Sequence, residues 1–239
     1  MKLTYIYHSG FVIEGKACTI LIDFFKDTDR NGKGKVYDYF LKRPGKLYVL
    51  ASHFHPDHFN RNILRWKDKR DDITYIFSDD ILQNNRAKAE DAVYLSKFET
   101  YQDEMIRVKT YGSTDIGVSF LIEVEDKTIF HAGDLNNWHW REESTREESD
   151  EYELHFQREL EDITKEVKCV DVAMFPVDPR LGKDYMLGAE QFLDKIKVGL
   201  FVPMHFGNEY EKANAFKNYS KGKDSCFFEI TEKGESIEF

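Results

Sequence analysis

Short runs of β-branched and aromatic residues, separated by glycine and polar turns, open the chain and predict strands at 3–7, 11–13, 18–22, 47–51 and 73–77. Residues 26–46 are rich in Lys, Gly and Asp and predict a loop, with one helical turn around 37–41. Phe59, Ile63 and Trp66 recur at helical spacing and predict a helix over 59–66. A polar, helical stretch is expected from the end of the 73–77 strand to Tyr94. Strands follow at 105–111, 118–124 and 127–131, the last two joined as a hairpin through Glu125-Asp126-Lys127. The charged stretch 141–168 has only Leu154, Leu160 and Ile163 as apolar anchors and predicts a solvated helix with one packed stripe. The remainder predicts strands at 170–177, 199–204, 226–230 and 236–239, and helices at 185–196 and 210–219.

Two β-rich halves with interspersed helices point to an α/β fold, two sheets with helices on the outer faces, in one domain over 1–239. No short-period repeat supports a solenoid. A hydrophobic fraction of 41%, with 19 Phe and 13 Tyr spread through the chain, fits a packed core better than a disordered chain. The formal charge is 10 negative, from 34 Lys plus Arg against 44 Asp plus Glu, so no nucleic-acid partner is expected. The opening MKLTYIYHSGFVIEG lacks an apolar core of signal-peptide type, and no window reaches the roughly 18 apolar residues of a membrane span. A cytoplasmic protein without a membrane partner is the expectation. Cys18, Cys169 and Cys226 are odd in number and form no C-x-x-C pair, and they are expected to be free core thiols.

The densest chemistry follows the 47–51 strand, where His53-Phe54-His55-Pro56-Asp57-His58 places three imidazoles and a carboxylate in one short loop. These are donors that suit zinc, iron or manganese. In an extended loop His53 and His55 can point one way while Asp57 and His58 are offset to a neighbouring position, and Pro56 disfavours the helical turn that would scatter them. Asp134 follows the 127–131 strand and the small pair Ala132-Gly133. A carboxylate there can bridge two cations, or simply satisfy N–H groups of a turn. His205, after the 199–204 strand, is either a further ligand or a satisfied core histidine.

With these residues in place, the sequence resembles the metallo-β-lactamase fold superfamily. His53, His55, Asp57 and His58 match its H-x-H-x-D-H pattern, Gly133-Asp134 its later Gly-Asp, and His205 its final histidine. The resemblance implies a four-layer αβ/βα sandwich. It also implies a first metal on His53 and His55, a second on Asp57 and His58, Asp134 bridging, and His205 completing the second site. One departure stands out: the usual first-site histidine of a G-H-T-like turn has Ser113 at its position, within residues 111–119. His139 is the expected substitute, as ligand or as substrate contact, with an ordinary loop histidine as the alternative. His131 reads either as a residue orienting a ligand or as plain burial. The His8-Ser9-Gly10-Phe11 turn, Asp23 at a strand end and the 113–119 turn are similar to the branch that includes L-ascorbate-6-phosphate lactonase and other predicted metal-dependent hydrolases.

The expected activity is hydrolysis of a small ester or lactone, phosphorylated or not, by metal-activated hydroxide, with Asp57 and Asp134 orienting it and accepting its proton. A phosphodiesterase and a non-catalytic binding protein on the same fold are the alternatives. One or two divalent ions are expected, zinc first, with manganese or iron also suited to the donors. Arg180 is expected either to clamp a phosphate or carboxylate at the rim or to pair with Asp178. Asn136, Trp138 and Trp140 are candidates for the pocket wall, and the acidic run 142–148 for a solvent-facing surface. The partner is a small-molecule substrate, and a homo-oligomer is compatible with the sequence.

Overall fold

The computed structural model describes residues 1–29 and 34–239; residues 30–33, in the middle of the expected 26–46 loop, lie outside the described residues. The first strands form with ends within a residue or so of expectation: β1 (Lys2–Tyr7), β2 (Gly10–Glu14), β3 (Cys18–Ile22), β4 (Lys46–Ala51) and β5 (Ile73–Ser78). Helix α1 (Lys35–Asp38) precedes β4. The apolar pattern at 59–66 makes a 3-10 helix, Arg61–Asp68, instead of an α-helix. Its buried Ile63 and Trp66 are three residues apart, and the Tyr75 hydroxyl donates to the Ile63 carbonyl, which removes that acceptor from an α-helical ladder.

The helix expected to run to Tyr94 is a five-residue turn, α2 (Asp79–Gln83), and Tyr94 lies in strand β6 (Val93–Leu95). Pairing decides this: Tyr94 is opposite Phe77 of β5, and the left-handed Asn85 (φ 54°) has already turned the chain out of the helix. Strand β7 (Thr100–Gln102), which the sequence pattern does not suggest, precedes β8 (Ile106–Tyr111), β9 (Ser119–Val124) and β10 (Lys127–His131). Helix α3 (Arg146–Glu166) starts at a capping box between Thr145 and Glu148. It buries Phe156, Leu160 and Ile163 at i, i+4 and i+7, whereas the expected anchor Leu154 is exposed. After β11 (Cys169–Pro176), α4 (Leu187–Lys195) and β12 (Lys197–Met204), the expected 210–219 helix divides into α5 (Tyr210–Asn214) and α6 (Lys217–Gly222). The break places Phe216 against Phe201, ring centroids 4.7 Å apart. β13 (Cys226–Phe227) and β14 (Ser236–Glu238) end the chain.

The strands build two seven-stranded sheets, β14-β1-β2-β3-β4-β5-β6 and β13-β12-β11-β10-β9-β8-β7. Each is mixed in the same way. The pairings β14/β1, β1/β2 and β2/β3 are antiparallel and β3 to β6 parallel. Likewise β7 to β10 pair antiparallel and β10 to β13 parallel. Alternation along the strands sends one set of side chains of the first sheet, such as Leu3, Phe11, Ile20 and Leu50, into the large core shared with the second sheet. The other set, Ile6, Val12, Leu21 and Val49, joins Phe40 and Trp66 in a separate outer core. Helices α3 and α4 cover the far side of the second sheet, so the molecule is the expected α/β sandwich of two sheets flanked by helices.

The cysteines are free, but only Cys18 is buried; Cys169 and Cys226 are exposed, each as the first residue of its strand, β11 and β13, where the chain enters the sheet from the surface. Among the described residues, no helix is long and apolar enough to cross a membrane.

Candidate metal centre

Seven chain segments leave the C-terminal ends of strands and meet at one point, the usual place for a ligand in an α/β sheet. His8 follows β1, Asp23 follows β3, residues 53–58 follow β4, Asp115 follows β8, Asp134 follows β10, Asp178 follows β11 and His205 follows β12. Backbone bonds stitch these exits together: Asp23 N–H to Leu50 O, Val118 N–H to Ser52 O, and His205 N–H to His8 O. His8, Asp23 and His205 all hold left-handed backbone, φ 61°, 50° and 63°, a costly conformation for residues with a Cβ. Two glycines permit the closest approaches. A Cβ on Gly117 (φ 77°) would lie 2.1 Å from Ser52 O, and one on Gly133 (φ 55°) 2.7 Å from Val118 O.

The convergent groups form two clusters, His53, His55, Asp115, Asp134 and His8, Asp57, His58, His205, with ligand atoms in each within 4.8 Å of one another. Asp134 belongs to both. Its Oδ2 is 3.5 Å from His53 Nε2, and its Oδ1 is 3.1 Å from His58 Nε2 and 3.2 Å from His205 Nε2. In the first cluster His55 Nδ1 lies 3.3 Å from Asp115 Oδ2; in the second His8 Nε2 lies 3.3 Å from Asp57 Oδ2.

Behind these atoms, a buried network fixes the rings. Asp23, fully buried, accepts from His58 Nδ1 at 2.7 Å, the Ser52 hydroxyl at 2.7 Å and Ser52 N–H at 2.7 Å. Ser52 Oγ is in turn 3.0 Å from His53 Nδ1. Asp178 accepts from His205 Nδ1 at 2.9 Å. With Nδ1–H donated to a carboxylate, the His58 and His205 rings turn Nε2 toward the centre, where it could ligate a cation. The electrostatics follow. Burial works against a charged His58, but Asp134 and Asp23 overcome it and raise its pKa well above the ordinary range. Burial would raise Asp134, yet His205, His58 and His53 hold it well below the usual carboxylate range. Burial and His205 push His8 down to about 4, and burial and His58 push His53 to about 3. Burial and the Asp134 carboxylate raise Asp115.

The donor set fits a pair of divalent cations. His8 Nε2, His53 Nε2, His58 Nε2, His205 Nε2 and Asp134 Oδ1 are buried without a hydrogen-bond partner. The imidazole nitrogens sit 3.1–3.5 Å from Asp134 oxygens, yet without hydrogen-bond alignment, so these atoms share a focus instead of pointing at each other. Buried polar atoms are otherwise nearly always paired, and a cation at each focus would satisfy all of them.

The structure thus brings together His53, His55, Asp57, His58, Asp134 and His205. It does not bring His139 with them. That ring is buried, its Nε2 donates to Asp184 O at 3.1 Å and its Nδ1 accepts from Arg141 N–H at 3.2 Å, so both nitrogens hold the loop and none faces the centre. The place expected for a substitute histidine is filled by Asp115, two residues after Ser113. Thr114 fixes it there, its hydroxyl donating to Asn136 O at 2.6 Å and accepting from Asn136 N–H at 2.9 Å. Arg180 pairs with Asp178, its Nε and Nη2 at 2.9 and 2.5 Å, and its exposed guanidinium lines the cavity. His131 is buried, bonded to Ser9 O and Gly133 N–H, 4.0 Å from Asp23. Sequence reasoning missed His8 as a member of the second cluster; the signal was a histidine at a strand exit ahead of a tight turn.

A cavity of about 360 Å³ opens on the centre, lined by His55, Asp57, Asp115, Trp138, Trp140 and Tyr152 among others. Trp138 and Trp140 stack at 6.1 Å, and Trp138 Nε1 donates to the backbone carbonyl of Asp134 at 2.8 Å, which ties the wall to the Asp134 turn.

A family model described as a beta-lactamase superfamily domain matches residues 2–150. A metal-dependent hydrolase of Nanoarchaeum equitans is 25% identical over 218 residues, 86% of this chain and 84% of that one. Two solved structures share the fold. Igni18, a metallo hydrolase from Ignicoccus hospitalis, has a TM-score of 0.68 at 19% identity and covers 100% of this chain and 98% of its own. CmlA, a diiron beta-hydroxylase from Streptomyces venezuelae, has a TM-score of 0.69 at 12% identity, over 100% of this chain and 54% of that one.

Proposed function

The chain belongs to the beta-lactamase superfamily, and from that premise we propose that it is a metal-dependent hydrolase of small, uncharged esters or lactones. The observation that carries the reading is the set of buried, unpaired Nε2 atoms focused on the two oxygens of Asp134. His53, His55, Asp115 and Asp134 would hold one divalent ion, and His8, Asp57, His58 and His205 with Asp134 the other. Ions held there supply Lewis acidity, polarising a scissile carbonyl and making water a nucleophile near neutral pH.

The remaining work falls to the protein. Asp57 is more open than Asp134, and its carboxylate would take the proton of the attacking water. Trp138, Trp140 and Tyr152 exclude bulk water from one side of the carbonyl, and Arg180 orients the substrate from the rim. A cavity of about 360 Å³ is at the small end of ligand sites. Asp57, Asp115 and Asp134 would offset most of the charge of two divalent ions, and Arg180 is already paired with Asp178. Little positive charge is left for a phosphate dianion, which is why the reading favours a neutral carbonyl. The fold alone does not choose the reaction, since a hydroxylase shares it.

The test is turnover by protein stripped with a chelator and reloaded with zinc or manganese. Lactones and aryl esters should be hydrolysed only by the reloaded protein, at least about tenfold faster than a bis-aryl phosphodiester. A faster diester would make it a phosphodiesterase, and no turnover by fully loaded protein would replace hydrolysis with a binding role.

A further inference from the structure

The two clusters differ in three independent respects. Their donors differ: beside the shared Asp134, one position has three imidazoles and Asp57 and the other two imidazoles and Asp115, because Asp115 stands where a third imidazole would make them alike. Imidazole suits zinc, whereas added carboxylate oxygen shifts a site toward manganese and ferrous iron. Their support differs as well. His58 and His205 each give Nδ1–H to a buried carboxylate, Asp23 and Asp178, while His53 has only the Ser52 hydroxyl and His55 only Asp115 itself. Carboxylate backing raises ligand basicity and holds ring orientation. Exposure differs last: one position has a single open donor, Asp57 at 38%, beside His8, His58 and His205 at 13%, 0% and 3%, whereas the other has two, His55 and Asp115 at 36% and 47%, beside His53 at 0%.

We propose that the centre is asymmetric by design of its ligands: the His8, Asp57, His58, His205 position binds zinc first and tightly, and the His53, His55, Asp115, Asp134 position holds a harder, exchangeable ion, manganese or ferrous iron. This rests on the reading of the site as a two-metal centre. Both positions border the cavity, one through His55 and Asp115 and the other through Asp57 and His205, so a substrate there would meet both ions.

Zinc titration of the stripped protein against a chromophoric chelator, repeated with manganese in competition, tests this without any activity assay. Two binding steps should separate by at least about tenfold, the scale of carboxylate support for a metal-bound histidine. Manganese in large excess should compete with zinc at the weaker step only, and crystals grown from that mixture and scanned at the zinc and manganese absorption edges should put manganese beside Asp115. Asp115→His should raise the zinc-over-manganese preference of the weaker step by about tenfold or more, and Asp115→Asn should abolish that step while leaving the tighter one unmoved. Equal steps, the tighter ion beside Asp115, or an Asp115→His protein with unchanged preference would overturn the asymmetry. Absence of both steps would overturn the two-metal reading itself, an outcome that is distinct because neither position then fills.

Discussion

The first sheet delivers His53, His55, Asp57 and His58 to the centre in one loop after β4, whereas the second sheet sends single groups from separate exits, Asp115 after β8, Asp134 after β10 and His205 after β12. The loop is assembled locally. Pro56 bars a helix, Asp80 Oδ2 takes the Phe54 N–H at 2.9 Å, and Asp23 with Ser52 holds the rings. The second set exists only once β10, β11 and β12 have paired in parallel register, because 71 positions separate Asp134 from His205 in the numbering. One half of the site is therefore a property of a loop and the other a property of a sheet. Asp134 is where they join, as the one second-sheet group whose two oxygens face both clusters.

The largest effect should come from that joint. Asp134→Asn removes the charge shared by both positions, and since even an outer partner of a ligand is worth about 10–100-fold in affinity or activity, the loss here should exceed 100-fold. Elemental analysis after desalting should find neither position filled, with the fold kept by far-ultraviolet circular dichroism. Two tightly held metals in this variant would mean that the halves bind independently and that the loop needs nothing from the second sheet.

A smaller loss should follow from unbracing the loop alone. Asp23→Asn keeps an acceptor for Ser52 N–H but removes the buried charge beside His58, and breaking a buried pair of this kind costs about 3–5 kcal/mol. Urea denaturation of metal-free protein should show that loss. Zinc should weaken at the His58 position by about 10–100-fold, while ions beside Asp115 change less. Equal weakening at both positions would show that Asp23 supports the whole centre instead of its own half.

This division also explains what the sequence made legible. Clustered donors on one loop are visible as a string, and strand periodicity gave both sheets, so the fold and six of the converging groups, His53 to His205, could be named from the chain. His8 and Asp115 are single residues at strand exits, and only the register of distant strands brings them to a metal focus. His139 shows the reverse error. Proximity to Asp134 in sequence suggested a ligand, but the backbone between them turns the ring toward Asp184 O and Arg141 N–H. Tyr94 and Leu154 failed for a related reason: local pattern favoured helix and burial, and cross-strand pairing and helix rotation decided otherwise. What remained illegible depended on contacts between residues far apart in the chain.

The gentlest probe of the comparison is pH acting on the metal-free protein. His8 falls from 6.5 to about 4 on folding and His53 to about 3, so the folded state resists protons that the unfolded chain accepts. Their contribution is complete above pH 6.5 and is lost as pH falls toward 4 and then 3, with a slope of up to about 1.4 kcal/mol per pH unit for each proton. His58 has the opposite sign. Its pKa is raised by Asp134 and Asp23, so its contribution is complete below 6.5 and is lost as pH rises toward its folded value. On the second-sheet side, Asp178 lies at about 2, held down by His205 and Arg180 against burial, and it contributes nothing to the slope until pH drops below about 3.8. Metal-free stability should therefore peak near pH 6.5 and decline first through first-sheet histidines, measured by urea midpoints from pH 4 to 9. Replacing His8 by Gln should flatten the acid limb between 6.5 and 4. An acid limb that begins only below pH 4 would take the histidines out of the slope and hand it to carboxylates of both sheets, Asp23 and Asp57 as well as Asp178.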